Sequence, residues 1–296
     1  MTEAPHTEPL KRSTIFYYGI AELPLYMMLI PIVVMIPNYY AQDLGISLAV
    51  LAALPIATRL FDAFTDPLIG RLSDLTRTRW GRRRPWIVAS APLIMISIYK
   101  LCMPEPPVGM GYLLGWLIVF WTGWTMFLIP YFAWAAELTP DYHERSVVTG
   151  FRSMMGVAGQ LLAQIVPVVA LVFFAFGGTG NVLMLIAIMT LVLVPLVMVP
   201  AVMKVPERHD YVPSRIPLTG ALKLMLANGS LKRLMLAFFF NYFGLAMTTT
   251  LYLFYIRSVI GEEERWVYIL AAFYVCNMSG VPFWVWMSRK RRMPSR

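Results

Sequence analysis

Charged residues are scarce in this sequence. Only 14% of its 296 residues are Asp, Glu, Lys or Arg, whereas 58% are hydrophobic, and the mean hydropathy is +0.64. A soluble domain has about a quarter of its residues charged, so this composition excludes an ordinary water-soluble fold. Long polar stretches are scarce as well, which leaves no room for a sizeable domain outside a membrane.

Cysteine and histidine are also sparse. The two cysteines, Cys102 and Cys276, lie in apolar segments, so the sequence predicts neither a disulfide framework nor a thiol metal site. The three histidines, His6, His143 and His209, lie in polar segments, which argues against a histidine proton relay across a membrane. We therefore expect no resident cofactor.

Long apolar segments are what the sequence has in quantity. A membrane-spanning helix needs about 20 mostly apolar residues, and the chain contains eight such segments. We predict an all-α polytopic membrane protein. Its helices are expected near residues 15–37, 46–69, 86–103, 110–136, 153–176, 182–203, 234–256 and 266–286.

The positive charges follow this predicted topology. Most of the 25 Lys and Arg residues lie at the N-terminus, in alternate connections between segments, and in the tail after the eighth segment. Because positive charge accumulates in cytoplasmic loops, we expect a multi-pass protein of the cytoplasmic membrane with its N-terminus in the cytoplasm. The same placement explains the net charge of +9 without a nucleic-acid partner.

One longer polar connection divides the chain. Residues 204–233 carry three prolines and mixed charge, and they separate six apolar segments from two. Transporters built from two six-helix halves have this layout. We expect a six-helix half over residues 1–203, a cytoplasmic loop over 204–233, and the first two helices of a second half, with a basic tail, over 234–296.

Three charged residues interrupt the second apolar segment. Arg59, Asp62 and Asp66 are spaced three and four residues apart, which places them on one face of a helix. A charge at membrane depth costs about 2.5–3.5 kcal/mol on insertion scales, and a cation or a proton can neutralise the excess carboxylate. We predict a cation-binding site at Asp62 and Asp66. The alternative is a structural Arg59–Asp62 pair, with Asp66 bonded to loop groups.

Glu22 is the other acid at membrane depth. It either faces a central cavity or pairs with Arg152. Aromatic residues that could stack on a sugar ring are plentiful, although packing and interfacial belts account for most of them. The candidates for the lining of a substrate cavity are Glu22, Tyr26, Trp124, Tyr131 and Asn241.

The connection after the second segment is rich in arginine. It reads GRLSDLTRTRWGRRRPW over residues 70–86. Its arginines predict an anchor on the cytoplasmic side, and Asp74 can bond an arginine or a helix N-terminus when an inner gate closes. A loop this short is a poor candidate for a nucleic-acid interface.

Two stretches of the chain resemble one transporter family. DAFTDPLIGRLSDLTRTRWGRRRPW and IPYFAWAAELTPDYHERSVVTGFR are similar to the second-helix and fourth-helix signatures of the glycoside-pentoside-hexuronide:cation symporters. These form the melibiose permease-like branch of the major facilitator superfamily. A weaker match is the seventh segment, with Asn241 and the ending LYLFYIRSVIG. The matches follow one another in the family's order and imply the fold of that superfamily.

The resemblance implies roles for individual residues. Asp62 and Asp66 fall on the family's cation-binding aspartates, with Arg59 and Arg152 as supporting arginines that balance charge. Further acids and an arginine after the fourth segment match inner-loop positions that serve gating or stability. The predicted inner gate therefore comprises Gly70, Asp74, Arg79, Arg82, Arg83, Glu137, Asp141 and Arg145.

The activity implied by the resemblance is cation-coupled symport by alternating access, which is transport and not enzymatic catalysis. The implied partners are a small solute, such as a sugar or glycoside, the lipid bilayer, and Na⁺, H⁺ or Li⁺ as coupling ion, with the protein acting as a monomer. Tyr26 and Leu128 stand where the melibiose permease pattern has sugar-binding aspartates. Their loss removes hydroxyl acceptors and argues against a galactoside, and the family also includes carriers of amphipathic lipids.

Two other interpretations stay open. The family has twelve helices, whereas eight are predicted here, which indicates a chain truncated after the eighth helix and hence a non-transporting remnant. A membrane prenyltransferase, in contrast, would hold Mg²⁺ on aspartates four residues apart. That enzyme class needs a second aspartate-rich motif, which the sequence lacks.

Overall fold

The computed structural model describes residues 10–105, 107–174, 178–207, 220 and 227–255, together with scattered positions between 272 and 287. Within this part, regular structure is helical apart from one isolated β-bridge between Thr78 and Gly81. The predicted all-α class is therefore confirmed. The chain divides into two compact units, one drawn from residues 1–210 and 274–296 and the other from residues 211–273.

The helices follow the predicted segments. In the first unit they are α1 (Arg12–Ile20), α2 (Leu23–Ile30), a π-helical turn (Pro31–Met35), α3 (Ile36–Gln42), α4 (Leu48–Leu75), α5 (Arg84–Cys102), α6 (Met110–Leu138), α7 (Tyr142–Phe174) and α8 (Thr179–Lys204). The second unit contains α9 (Gly229–Tyr255). The eighth predicted segment, 266–286, lies largely outside the described residues.

Among the residues that the structure describes, four stretches are long and apolar enough to cross a membrane, judged by length and composition. They coincide with the first, third, fourth and sixth predicted segments and are Arg12–Gln42, Arg84–Cys102, Met110–Leu138 and Thr179–Lys204. Helix α4 is 28 residues long and lies where the second segment was predicted. Arg59, Asp62 and Asp66 interrupt its apolar sequence.

The first predicted helix is not continuous. A turn at Ala21 and Glu22 separates α1 from α2, and the π-helical turn separates α2 from α3. Proline lacks an N–H group and crowds the preceding helical turn. Pro24 lies in the first turn of α2, and Pro31 begins the π-helical turn. The prolines therefore explain the breaks, and the first break places Glu22 at a helix junction.

Glycines allow α7 to lie against the first helices. A Cβ atom at Gly159 would be 2.1 Å from the carbonyl oxygen of Leu23, and one at Gly19 would be 2.4 Å from the ring of Phe151. Membrane helices use such small residues to bring their backbones together. The close approach places Arg152, on α7, within reach of Glu22.

Replacing Gly159 with alanine is expected to lower the free energy of unfolding by about 1–3 kcal/mol, because the colliding Leu23 oxygen belongs to the backbone and cannot rotate away. Gly115, in α6, is the matched control, since a Cβ there would meet no heavy atom within 4 Å. Gly115→Ala is expected to be neutral or to stabilise by up to about 1 kcal/mol. Thermal unfolding of the purified variants in detergent measures both changes. Equal unfolding midpoints would contradict the close approach.

Candidate functional site

The candidate cation site lies on α4. Arg59 Nη1 is 3.2 Å from Asp62 Oδ2, and the side chain of Asp62 is 14% exposed. The other carboxylate oxygen, Asp62 Oδ1, is buried and has no hydrogen-bond partner in the described part of the chain. Small hard cations bind carboxylate oxygens of this kind. Asp66 lies one turn further along the same face.

Helix α6 holds the other side of this site. The buried hydroxyl of Thr125 donates to Asp66 Oδ1 at 2.9 Å. The guanidinium carbon of Arg59 lies 5.3 Å from the centre of the Trp121 ring, a cation–π distance. Neither contact is predicted from the sequence. The only signal was a threonine four residues after a tryptophan, on one face of an otherwise apolar helix.

A small apolar cavity adjoins Arg59. It measures about 90 Å³ and lies between the π-helical turn, α4 and α6, with Trp121 and Leu117 in its wall. Sites for small-molecule ligands are usually about 300–1,000 Å³. This cavity is therefore too small for a sugar-sized solute.

Glu22 and Arg152 form a buried ion pair. Arg152 Nε is 3.4 Å from Glu22 Oε2, and the two side chains are 13% and 3% exposed. The guanidinium carbon of Arg152 also lies 3.8 Å from the centre of the Phe132 ring. Of the two alternatives for Glu22, the structure shows the pairing. Arg152 thus balances Glu22, whereas Arg59 is the arginine that contacts an aspartate of the candidate cation site.

The other predicted cavity residues are placed differently from one another. The rings of Tyr26 and Trp124 are 5.6 Å apart, beside the Glu22–Arg152 pair. Tyr131 is only 1% exposed, and its hydroxyl donates to the carbonyl of Tyr18 at 2.6 Å. Tyr131 therefore belongs to the core and does not offer its hydroxyl to a solute. Asn241 lies on α9, in the second unit.

Four predicted gate residues meet in one cluster of ion pairs. Arg82 Nη2 and Arg83 Nη2 lie 2.6 and 2.9 Å from Glu137 Oε1, at the end of α6. Arg83 Nη2 is also 2.6 Å from Asp74 Oδ1, at the end of α4. The side chain of Arg83 is 4% exposed, so its charge depends on these partners. The cluster connects the α4–α5 loop to α4 and to α6.

A further acid, Glu207, binds the same loop through its backbone. Glu207 Oε1 accepts the N–H groups of Arg82 and Arg83 at 2.5 and 2.7 Å, and Oε2 accepts that of Arg84 at 3.4 Å. The first N–H groups of a helix have no partner within it and attract negative charge. Glu207 therefore caps α5. Nothing in the sequence of the connecting loop 204–233 indicates this role for Glu207.

The remaining predicted gate residues do not join this cluster. Asp141 Oδ1 accepts the N–H of Glu144 at 2.8 Å, and Arg145 Nε donates to the carbonyl of Thr139 at 2.7 Å, so both act at the start of α7. The guanidinium carbon of Arg79 lies 6.0 Å from the centre of the Trp80 ring. Gly70 lies against α6, where a Cβ would contact Ile129 at 3.5 Å.

Comparison with known proteins matches this chain to a protein family. A family model described as MFS/sugar transport protein matches residues 17–291. The inner membrane symporter YicJ of Escherichia coli is 24% identical over 275 residues, which cover 89% of this chain and 58% of that protein. An isoprimeverose transporter of Lactiplantibacillus pentosus is 27% identical over 199 residues, 64% of this chain and 41% of that protein.

The name of a third relative specifies a different solute, a lipid. The sodium-dependent lysophosphatidylcholine symporter 1 of Gallus gallus is 36% identical over 108 residues, 35% of this chain and 20% of that protein. The chain spans less than two thirds of the length of each of these three relatives.

Proposed function

Because the chain belongs to the family of MFS/sugar transport proteins, we propose that it carries the cation site of a symporter. This symporter moves a sugar, glycoside or similar solute across the cytoplasmic membrane, with the N-terminus in the cytoplasm. The observation that carries the proposal is the buried Asp62 Oδ1, which has no hydrogen-bond partner in the described residues and lies on one helix face with Asp66. The names of three relatives, each a symporter or a transporter, support it.

The charges of the site explain the coupling. Asp62, Asp66 and Arg59 together carry one net negative charge at membrane depth, which is costly without a counter-ion. Binding of Na⁺ or Li⁺, or uptake of a proton, removes that charge. In this proposal, access to the site switches from one face of the membrane to the other only when the site is neutral.

The solute site in this proposal lies beside the Glu22–Arg152 pair. A carboxylate accepts hydrogen bonds from hydroxyl groups and a guanidinium donates them, so the pair suits a polyhydroxylated solute. Tyr26 and Trp124 supply aromatic faces nearby. The inner gate in this proposal is the ion-pair cluster of Arg82, Arg83, Asp74 and Glu137.

Asp62→Asn and Asp66→Asn are each expected to abolish stabilisation by the coupling ion. Asparagine keeps the shape of the aspartate side chain and removes its charge. In the purified chain, Na⁺ or Li⁺ at one hundred times its Kd should stabilise the wild type by about 2.7 kcal/mol, and neither variant should respond. Asp43→Asn is the matched control, since Asp43 is exposed at the end of α3. Choline chloride controls for ionic strength.

Transport is the second readout for these variants. In proteoliposomes of the protein that carries this chain, cation- or proton-stimulated solute uptake should be lost in Asp62→Asn and Asp66→Asn and kept in Asp43→Asn. Wild-type ion stabilisation and uptake in both site variants would refute the proposal. Stabilisation without uptake in the wild type would support the ion site and place this chain among non-transporting remnants.

A further inference from the structure

A groove opens between the start of α1 and the start of α7. It consists of two adjoining cavities of about 460 and 570 Å³, which share Arg12, Ile15 and Val147 as lining residues. Each cavity is within the usual size range of ligand sites, about 300–1,000 Å³. The groove is separate from the candidate cation site and from the Glu22–Arg152 pair, and none of the predicted site residues lines it.

The wall of the groove is apolar. Ile15 and Phe16 line it from α1, and Val147 and Phe151 line it from α7. Phe16 is 47% exposed, which is unusual for an aromatic residue in a packed bundle but ordinary for one that contacts lipid. The wall therefore suits a hydrocarbon chain.

The rim of the groove carries polar and charged side chains. Arg12, Ser13 and His143 lie on it, and Arg12 forms no ion pair with any of the residues that the structure describes. Glu144 also lies on the rim, but its two oxygens are engaged by Leu10 N at 3.1 Å and by a threonine hydroxyl at 2.6 Å. The charge left to bind a ligand is the Arg12 guanidinium.

The position of the groove along the bundle also matters. Arg12 begins α1, and Lys204, the last residue of α8, donates to the Tyr17 hydroxyl at 2.7 Å. Glu207, three residues further on, binds the arginine-rich α4–α5 loop. The groove thus lies at the edge of the bundle where the positive charges collect, which the charge pattern predicts to be cytoplasmic. Anionic lipid headgroups lie at this level.

We propose that the groove binds one anionic phospholipid of the cytoplasmic leaflet. The Arg12 guanidinium holds the phosphate through paired N–H···O bonds, with Ser13 and His143 beside it, and an acyl chain lies along Phe16 and Phe151. Basic pockets between membrane helices on the cytoplasmic side bind anionic headgroups. Selection of the anionic lipid over a zwitterionic one follows from the net charge of the headgroup. The proposal does not depend on transport activity.

Native mass spectrometry of the purified chain tests this site. The chain is released from nanodiscs of phosphatidylcholine with or without a minor share of phosphatidylglycerol. One phosphatidylglycerol is expected to stay bound to the wild type, and Arg12→Gln is expected to retain it about tenfold less, as expected for the loss of one charge-assisted contact. Val147→Trp fills the groove at unchanged charge and is expected to lose the lipid as well.

Arg71→Gln is the matched control, because Arg71 is exposed on α4 and does not line the groove. It removes the same charge and should keep the lipid. Arg12→Gln alters an exposed side chain and leaves helix packing unchanged, so its result stands even if Val147→Trp does not fold.

Several results would overturn the proposal. Equal lipid retention by Arg12→Gln and Arg71→Gln would indicate a general attraction to the basic edge. Equal retention of phosphatidylcholine would remove the role of charge. Displacement of the lipid by inorganic phosphate alone would identify a free-anion site. A lipid-free dimer that Val147→Trp abolishes would identify a second copy of the chain as the occupant.

Discussion

Replacement of Glu137 by alanine is expected to cost about 3–5 kcal/mol of unfolding free energy, because it removes the carboxylate shared by two buried guanidinium groups. Arg82 and Arg83 both contact Glu137 Oε1, at 2.6 and 2.9 Å. Arg83 would keep Asp74 as a partner, 2.6 Å from its Nη2. The midpoint of thermal unfolding in detergent measures the loss.

Glu105→Ala provides the matched control for this prediction. Glu105 pairs with Lys100 at 3.5 Å, but its side chain is 70% exposed, and exposed ion pairs contribute about 0–1 kcal/mol. A shift of the midpoint in Glu137→Ala no larger than that in Glu105→Ala would show that the cluster contributes little to stability. Glu137→Gln should fall between the two, since it keeps the hydrogen-bonding shape and loses the charge.

Gly81→Ala is the second substitution for which we expect a large loss, about 3–4 kcal/mol. Gly81 has φ of +111°, a conformation that residues with a side chain adopt at a cost of about 1–3 kcal/mol. A Cβ atom would also lie 2.1 Å from Glu207 Oε2. The Glu207 carboxylate would have to leave the N–H groups that it caps, which adds the loss of a helix cap, about 0.5–2 kcal/mol.

Gly45→Ala separates the two causes. Gly45 also has positive φ, +71°, but a Cβ there would meet no heavy atom within 4 Å. The control therefore reports the backbone strain alone, about 1–2 kcal/mol. If the Glu207 contact explains the difference, Glu207→Ala should cost much less in the Gly81→Ala background than in the wild type. Equal losses for the two glycine variants would contradict the capping role of Glu207.

The candidate cation site shows how far sequence reasoning reaches. The spacing of Arg59, Asp62 and Asp66 predicted one helix face, and the structure places them on α4 with a direct contact between the first two. Residue spacing alone predicts which side chains share a helix face, because neighbouring turns of a helix lie at known distances. Thr125, which donates to Asp66, is 59 positions away in the chain. No local pattern reports a contact of that range.

The class of the protein and the positions of the described helices α1 to α9 follow from the sequence alone. Apolar segments of membrane-spanning length, and the cost of leaving backbone groups unpaired in lipid, allow few other outcomes than helices. The sequence also indicated the charged residues of the candidate cation site, because a charge at membrane depth is expensive and therefore conspicuous. The same composition, however, does not predict which charges meet.

The partners of the charged and polar side chains depend on the tertiary structure. It paired Glu22 with Arg152, buried Tyr131 against Tyr18, and brought Glu207 to Arg82 over a separation of 125 residues. These contacts depend on how closely whole helices approach, which glycine positions and packing set jointly across the bundle. A buried charge takes whichever partner the packing brings within reach, because leaving it unpaired costs more than any local preference of the sequence.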